Sequence, residues 1–133
     1  MAITLALIGI LAMIALPSSA TALAHSRVNR AASMVAVDLD LALSQATRQH
    51  GPVQIALTGS TYAFTTRAGD TLHVRSLGTD SEFSLESVTF TPTTVEVFPT
   101  GLVSGQLTIV MLKDGYSRTV TMSRAGQVRI IAP

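Results

Sequence analysis

The pattern of apolar and polar positions divides the chain into three parts. Residues 1–16, MAITLALIGILAMIAL, are almost wholly apolar, with Thr4 as their one weakly polar side chain, and the first formal charge comes only at Arg27. Beyond Pro17 and the short SSATALA stretch the apolar positions become periodic. Val28, Ala32, Val35, Leu39, Ala42 and Ala46 recur at spacings of four and three, which gathers them into one stripe on a helix of 3.6 residues per turn. The segment from Leu23 to His50 is rich in Ala, Leu, Met, Gln and Arg, contains no Gly or Pro, and is stopped by Gly51-Pro52. Met34, Val37 and Leu41 form a second apolar set, roughly 150° around the same helix at about 100° per residue. A helix in a free monomer buries only one face, so this second set predicts either a partner helix or deeper burial in its own domain. Arg27, Arg30, Asp38 and Arg48 fall on the flanks and are expected in solvent.

From Val53 onward the period drops to two. Val53–Leu57 alternates strictly, Gly59-Ser60 turns the chain into Thr61–Thr66, and Gly69-Asp70 turns it again into Leu72–Leu77. Val88–Phe90 and Val95–Phe98 follow a polar loop, with Pro92, Pro99 and Gly101 as punctuation. Gln106–Leu112 and Ser117–Met122 flank Lys113-Asp114-Gly115-Tyr116, whose Asp-Gly is a strong hairpin signal, and Gly126 leads into Val128–Ile131. One long helix followed by seven or eight short antiparallel strands predicts an α+β fold, the helix packed on a small sheet or sandwich. The expected parts are 1–24, an apolar helix; 25–50, an amphipathic stem; and 51–133, a β-rich head.

Composition sharpens the first part. The 133 residues suit one domain. At 47% hydrophobic and only 13% charged, with a mean hydropathy of +0.45, the chain is unusually apolar for a soluble protein, and a segment in lipid is expected. Sixteen apolar residues span roughly 24 Å as a helix, short of the roughly 30 Å hydrocarbon core, and continuation through SSATALA just completes the span. Two other origins fit the segment: a core helix, and a secretory signal peptide cut after Ala22-Leu23-Ala24, although the basic flank such a peptide carries is missing here.

Chemistry finds little to work with. Absence of cysteine removes disulfides, thiolate metal sites and cysteine nucleophiles. His25, His50 and His73 are scattered with no ligand spacing, so neither a metal nor any other cofactor is expected. There is no Gly-x-Ser-x-Gly elbow, no Ser-x-x-Lys and no phosphate-binding glycine loop, which leaves catalysis without an anchor. Asp38 and Asp40 point about 200° apart on one helix and cannot share a proton. With a net charge of +1 no global field attracts nucleic acid, yet Lys113, Arg118, Arg124 and Arg129 make the last strands locally basic.

Ile8-Gly9-Ile10-Leu11-Ala12-Met13-Ile14-Ala15-Leu16-Pro17 resembles the N-terminal helix of type IV pilins and pseudopilins, whose apolar run ends in the same Leu-Pro step. Over the head, Ala42–Ala46, Val88–Phe90 leading to Pro99-Thr100-Gly101, Gln106–Ile109 and the closing Gly126-Gln127-Val128-Arg129 together resemble the GspH/FimT-type minor pseudopilins. The resemblance implies a pilin-like fold and a non-catalytic, single-pass subunit of the bacterial inner membrane with a periplasmic head, serving a type II secretion pseudopilus or a type IV pilus. Ile8, Gly9, Ile10, Leu11, Ile14, Leu16 and Pro17 would then serve membrane insertion and assembly, and Val28, Val35 and Leu39 with Met34, Val37 and Leu41 would pack the stem. Other pilin subunits are the implied partners. The family's Phe-Thr-Leu-Ile-Glu opening, and the glycine cut by prepilin peptidase, would fall upstream of Met1. A start displaced to an internal methionine accounts for that, since about five more residues give a comfortable membrane span; a relative that has lost processing is the alternative. Some FimT-like minor pilins capture DNA through a Gly-Arg-x-Arg motif, of which Gly126 to Arg129 keep the glycine and the last arginine. DNA capture, and a secreted β domain cleaved after Ala24, are the alternative functions.

Overall fold

The computed structural model describes residues 2–131, apart from the side chains of residues 12–19. Helix α1 (Ala2–Gln49) has 48 residues and runs unbroken through residue 17, a length of about 72 Å at 1.5 Å per residue. The described side chains before Ala24 are exposed. Burial starts at Ala24 and returns at Val28, Ala31, Ala32, Val35, Leu39, Ala42 and Ala46, so the stripe read from sequence is the side of α1 that enters the core. Among the described residues, no helix is long and apolar enough to cross a membrane.

The helix ends in a Schellman arrangement. Gly51 N–H donates to the Ala46 carbonyl and His50 N–H to the Thr47 carbonyl, both at 3.3 Å. The left-handed position belongs to His50, with φ 52°, one residue earlier than the Gly51-Pro52 stop suggests. Pro52 then forces the chain into β1.

Eight strands follow: β1 (Val53–Thr58), β2 (Thr61–Thr66), β3 (Thr71–Ser76), β4 (Ser87–Thr91), β5 (Thr94–Val97), β6 (Leu107–Lys113), β7 (Tyr116–Met122) and β8 (Val128–Ile131). They make two four-stranded sheets, ordered β3-β2-β1-β5 and β4-β6-β7-β8, with every pairing antiparallel. The chain changes sheet between β4 and β5, which only Pro92 and Thr93 separate. Asp114 and Gly115 join β6 to β7, both with positive φ (51° and 75°), as the two-residue hairpin turn requires.

The inner faces of both sheets and the α1 stripe share one core. Ile55, Tyr62 and Phe64 come from the first sheet, and Leu107, Ile109, Met111 and Val120 from the second. Directly paired residues in an antiparallel ladder share a face, so the register also defines what looks outward. In the second sheet one outer row is Thr91, Thr108, Thr121 and Arg129, the next is Thr89, Val110, Thr119 and Ile131, and Ser87, Leu112 and Ser117 complete the face. In the first sheet the outer rows are Glu96, Gln54 and Thr65, then Thr94, Ala56, Ala63 and Val74, then Thr58, Thr61 and Ser76.

His50→Gly should raise stability by about 0.5–1 kcal/mol, because glycine adopts the left-handed C′ position without the Cβ cost that histidine bears. Denaturant unfolding of the two proteins at one pH checks it, and an unchanged or lower midpoint would contradict the strain assigned to His50.

Candidate functional site

The features that distinguish this molecule lie along α1. Its exposed apolar side chains run from Ile3, Leu5, Leu7, Ile8, Ile10 and Leu11, which are between 55% and 77% exposed, to Leu23, Val37 and Leu41 on the stem. Gly9 lies among them with nothing within 4 Å of where a Cβ would stand. Ile14, Leu16 and Pro17 lie outside the described side chains. Of the stem residues singled out from sequence, Val28, Val35 and Leu39 enter the core, Met34 is half-buried against it, and Val37, at 62% exposure, faces away from the head. Of that second set the domain covers Met34 in part and leaves Val37 and Leu41 exposed.

Beside it lies an open groove of about 770 Å³ between the stem and the loop that follows β3. The stem contributes Ala22, His25, Ser26, Asn29, Arg30, Ser33, Met34 and Val37, at helical spacings of three and four; the loop contributes Glu82 and Phe83. The groove is apolar toward Met34, Val37 and Phe83 and polar toward His25 and Asn29.

Two polar clusters fix α1 against the head and decide which way this face points. On one flank Asp38 is buried, which corrects the expectation that it lies in solvent. Its Oδ2 accepts hydrogen bonds from Tyr62 Oη at 2.5 Å and Arg75 Nε at 2.5 Å, and His73 Nε2 lies 3.1 Å away; Arg75 Nη2 reaches Oδ1 at 3.3 Å. At about 100° per residue Asp38 is about 80° from the centre of the buried stripe, on the side of Ala24 and Ala31, both of them buried as well. That angle was the available signal, and it is silent about the partners, which come from β2 and β3. Burial pushes the carboxyl up, but the hydrogen bonds from Arg75 and Tyr62 and the charges of Arg75 and His73 outweigh it, leaving Asp38 below the usual carboxylate range. Burial, reinforced by the carboxylate, pushes the Tyr62 hydroxyl far above its ordinary value. The hydrogen bond to Asp38 likewise holds Arg75 above its own.

On the other flank the β6–β7 hairpin grips the stem. Tyr116 stacks on His25 with ring centroids 3.8 Å apart, and its hydroxyl donates to Asn29 Oδ1 at 3.1 Å. Arg118 Nε donates to the same Asn29 oxygen at 2.8 Å, and Lys113 Nζ donates to the Ser84 carbonyl at 2.8 Å. Lys113 and Arg118 thus serve the fold. Arg124 and Arg129 are exposed, but Lys113 and Arg124 lie at opposite ends of β7, about 20 Å apart at 3.4 Å per residue, so the four bases make no patch. Gly126 also has a structural reason: its φ is +82°, and a Cβ there would come within 2.5 Å of the Gly101 carbonyl oxygen. Among the described residues no group of three or more His, Cys, Asp or Glu gathers as a metal site would require.

Asp38→Ala should cost about 2–4 kcal/mol, since it strips charge-assisted hydrogen bonds from a buried site and leaves the Tyr62 hydroxyl without its acceptor. Asp38→Asn should cost less and change the pH response. A carboxyl held below its ordinary value near 3.8 contributes stability at higher pH and loses it as the pH falls through the folded value. The stability advantage of the native protein over Asp38→Asn should therefore be constant above about pH 5 and shrink below about pH 4. Denaturant unfolding across that range measures it, and a gap that does not narrow in acid would refute the ionised, partnered carboxylate.

The family model described as type II transport protein GspH matches residues 31–126, well over half of the chain. Among solved structures, the type IV minor pilin FimU of Pseudomonas aeruginosa superposes with a TM-score of 0.65 at 19% identity, covering 82% of this chain and 94% of that one. The minor pseudopilin EpsH from the type 2 secretion system of Vibrio cholerae gives 0.62 at 16% identity, covering 80% and 98%. Escherichia coli GspH gives 0.57 at 17% identity, covering 80% and 89%. Among curated protein sequences, none matches significantly. A pilin-like α+β head on a long N-terminal helix, matched by the GspH model over most of its length, places this chain in the GspH family.

Proposed function

We propose that the chain is a minor pilin or pseudopilin, a non-catalytic subunit that enters a type II secretion pseudopilus or type IV pilus through α1, with the N-terminal part of the helix in the inner membrane and the head in the periplasm. The observation that carries this reading is the mismatch between helix and head. Helix α1 is 48 residues long, yet among its described side chains burial begins only at Ala24, and the exposed apolar side chains from Ile3 to Leu11 are matched on the stem by Val37 and Leu41. Lipid, or the apolar helices of other subunits, satisfies such a surface. Stacking of stems would bury it along a filament axis and leave the heads outside.

Cleavage after Ala24 fits less well. Ala24 is 2% exposed inside an unbroken helix, and His25, which would become the N-terminus, stacks on Tyr116. Nor do the dispersed bases favour DNA capture. The same reading includes prepilin peptidase as the processing enzyme.

A photo-crosslinking side chain at position 37, in host membranes, should capture another subunit with a pilin-type N-terminal helix. Val37→Asp should reduce incorporation into the filament about tenfold or more, because burying an unpaired carboxylate costs upward of about 1.4 kcal/mol. The N-terminus of the membrane-derived protein, read by mass spectrometry, supplies the second arm. A methylated residue a few positions before Met1 supports prepilin processing, whereas an N-terminus at His25 overturns the proposal.

A further inference from the structure

We propose that the free edge of β8 takes up an extended segment of a different protein as a fifth strand of the second sheet, with an apolar side chain beside Ile130 and a carboxylate beside Arg129. The inference does not depend on how α1 is used. Ser123 N–H donates to the Gln127 carbonyl and Gly126 N–H to the Ser123 carbonyl, both at 2.9 Å, which fixes the hydrogen-bonding phase of the β7–β8 pair. Counting from that closing pair in the observed register, Arg129 and Ile131 bond to Thr121 and Thr119, and the main-chain groups of Val128 and Ile130 point away from β7. None of those outward groups has a partner among the described residues.

An edge strand alone is ordinary, since every open sheet has two. What sets β8 apart is the core side of its edge. Residues paired directly across a ladder share a face, so Ile130 stands with Val120 on the inner face, yet Val120 is fully buried while Ile130 is 44% exposed. The other edges are closed on that side. On β4 the inward Phe90 is buried, its ring 5.8 Å from that of Tyr62. On β5 Val95 and Val97 are buried, and Ser104 N–H donates to the Glu96 carbonyl at 2.9 Å along the edge. On β3 the inward side chains are His73 and Arg75, gathered at Asp38, and inward-pointing charge is one of the devices by which edges resist pairing. At β8 the apolar inner layer continues to the rim, and one more strand would extend it.

Unpaired main-chain donors and acceptors beside an apolar side chain select an extended strand over a helix, whose main chain is bonded internally. Charge selects the composition of that strand and disfavours a second copy. Arg129 points to the outer face and forms no ion pair among the described residues, and neither β7 nor β8 contains an acidic residue. Two β8 edges set antiparallel, in the register that uses Val128 and Ile130 of both, place Arg129 directly opposite Arg129, where like charges repel. A carboxylate at that position of a different strand is attracted instead.

The test places a photo-crosslinking side chain at position 131 of the full-length protein in host membranes and sequences the captured peptide by mass spectrometry. Capture should fall in one segment of a different protein, in which apolar residues alternate with at least one Asp or Glu. Ile130→Pro should lower the yield about tenfold, because it removes an outward N–H and leaves the bonds to β7, as proline on an edge strand can. Ile130→Val keeps that N–H and should lower the yield only about twofold, and Arg129→Glu should lower it about threefold. Capture of a second copy or of a helical segment overturns the proposal, as does no capture, or a yield that Ile130→Pro and Ile130→Val change alike. Should the proline variant unfold, amide exchange of the native protein decides. The Val128 and Ile130 amides should exchange about tenfold more slowly in host membranes than in the protein isolated in detergent, and equal rates overturn the proposal. Capture from position 37 tests the filament reading separately and should persist in Ile130→Pro.

Discussion

Everything in the head depends on how closely α1 approaches two sheets at once. The buried side of the helix is made largely of alanine, at positions 24, 31, 32, 42 and 46, with Val28, Val35 and Leu39 between them. The bulk sits opposite, in Tyr62, Phe64, Ile55, Leu107, Ile109 and Met111. Small on the helix against large on the sheets lets the interior close without voids while one rod touches strands of both layers. A larger side chain at Ala42 or Ala46 would have to displace strands that are already paired on either side. The sheets also meet directly, with the rings of Tyr62 and Phe90 5.8 Å apart between them.

An alanine seam is smooth, and smoothness alone would permit rotation or sliding. Asp38 against Tyr62 and Arg75 on one flank, and Asn29 against Tyr116 and Arg118 on the other, remove that freedom. A buried carboxylate is a weak source of net stability, because desolvation offsets much of what its partners contribute. Its value is directional. With both flanks held, Val37 and Leu41 cannot turn toward the head, and the apolar face of the stem stays available to another helix.

The elements were legible because they rest on local signals. Helical periodicity at Val28, Ala32, Val35 and Leu39 found the buried stripe, and Asp114-Gly115 found the β6–β7 turn, because each signal is contained within a few neighbouring residues. What escaped depends on distant ones. Asp38 meets groups 24 to 37 positions away, so no local reading could decide that its charge was wanted inside. The division into two sheets turns on the short Pro92-Thr93 connection, which looks like an ordinary hairpin turn until the register shows β4 and β5 in different layers. Arg118 and Lys113 read as a basic patch by composition, but geometry spends them on Asn29 and Ser84. The candidate face on the stem lay between these cases. Its members were found by angle, while the question of whether the head covers them needed the fold.

The apolar excess that first pointed to lipid turns out to lie in more than one place. Part is the run from Ile3 to Leu11, part is the stem face at Val37 and Leu41, and a smaller part is on the sheets at Val74, Val110, Ile130 and Ile131. These surfaces differ in what they can tolerate as partner. In the proposed reading the N-terminal run, apolar but for Thr4, would be satisfied by lipid or helix alike and so give attachment without register. The stem face is narrower and bordered by Arg30 and Glu82, so in the same reading its partner would have to suit those charges. In the filament reading proposed above, attachment and alignment would thus be set by successively more selective surfaces on one small chain.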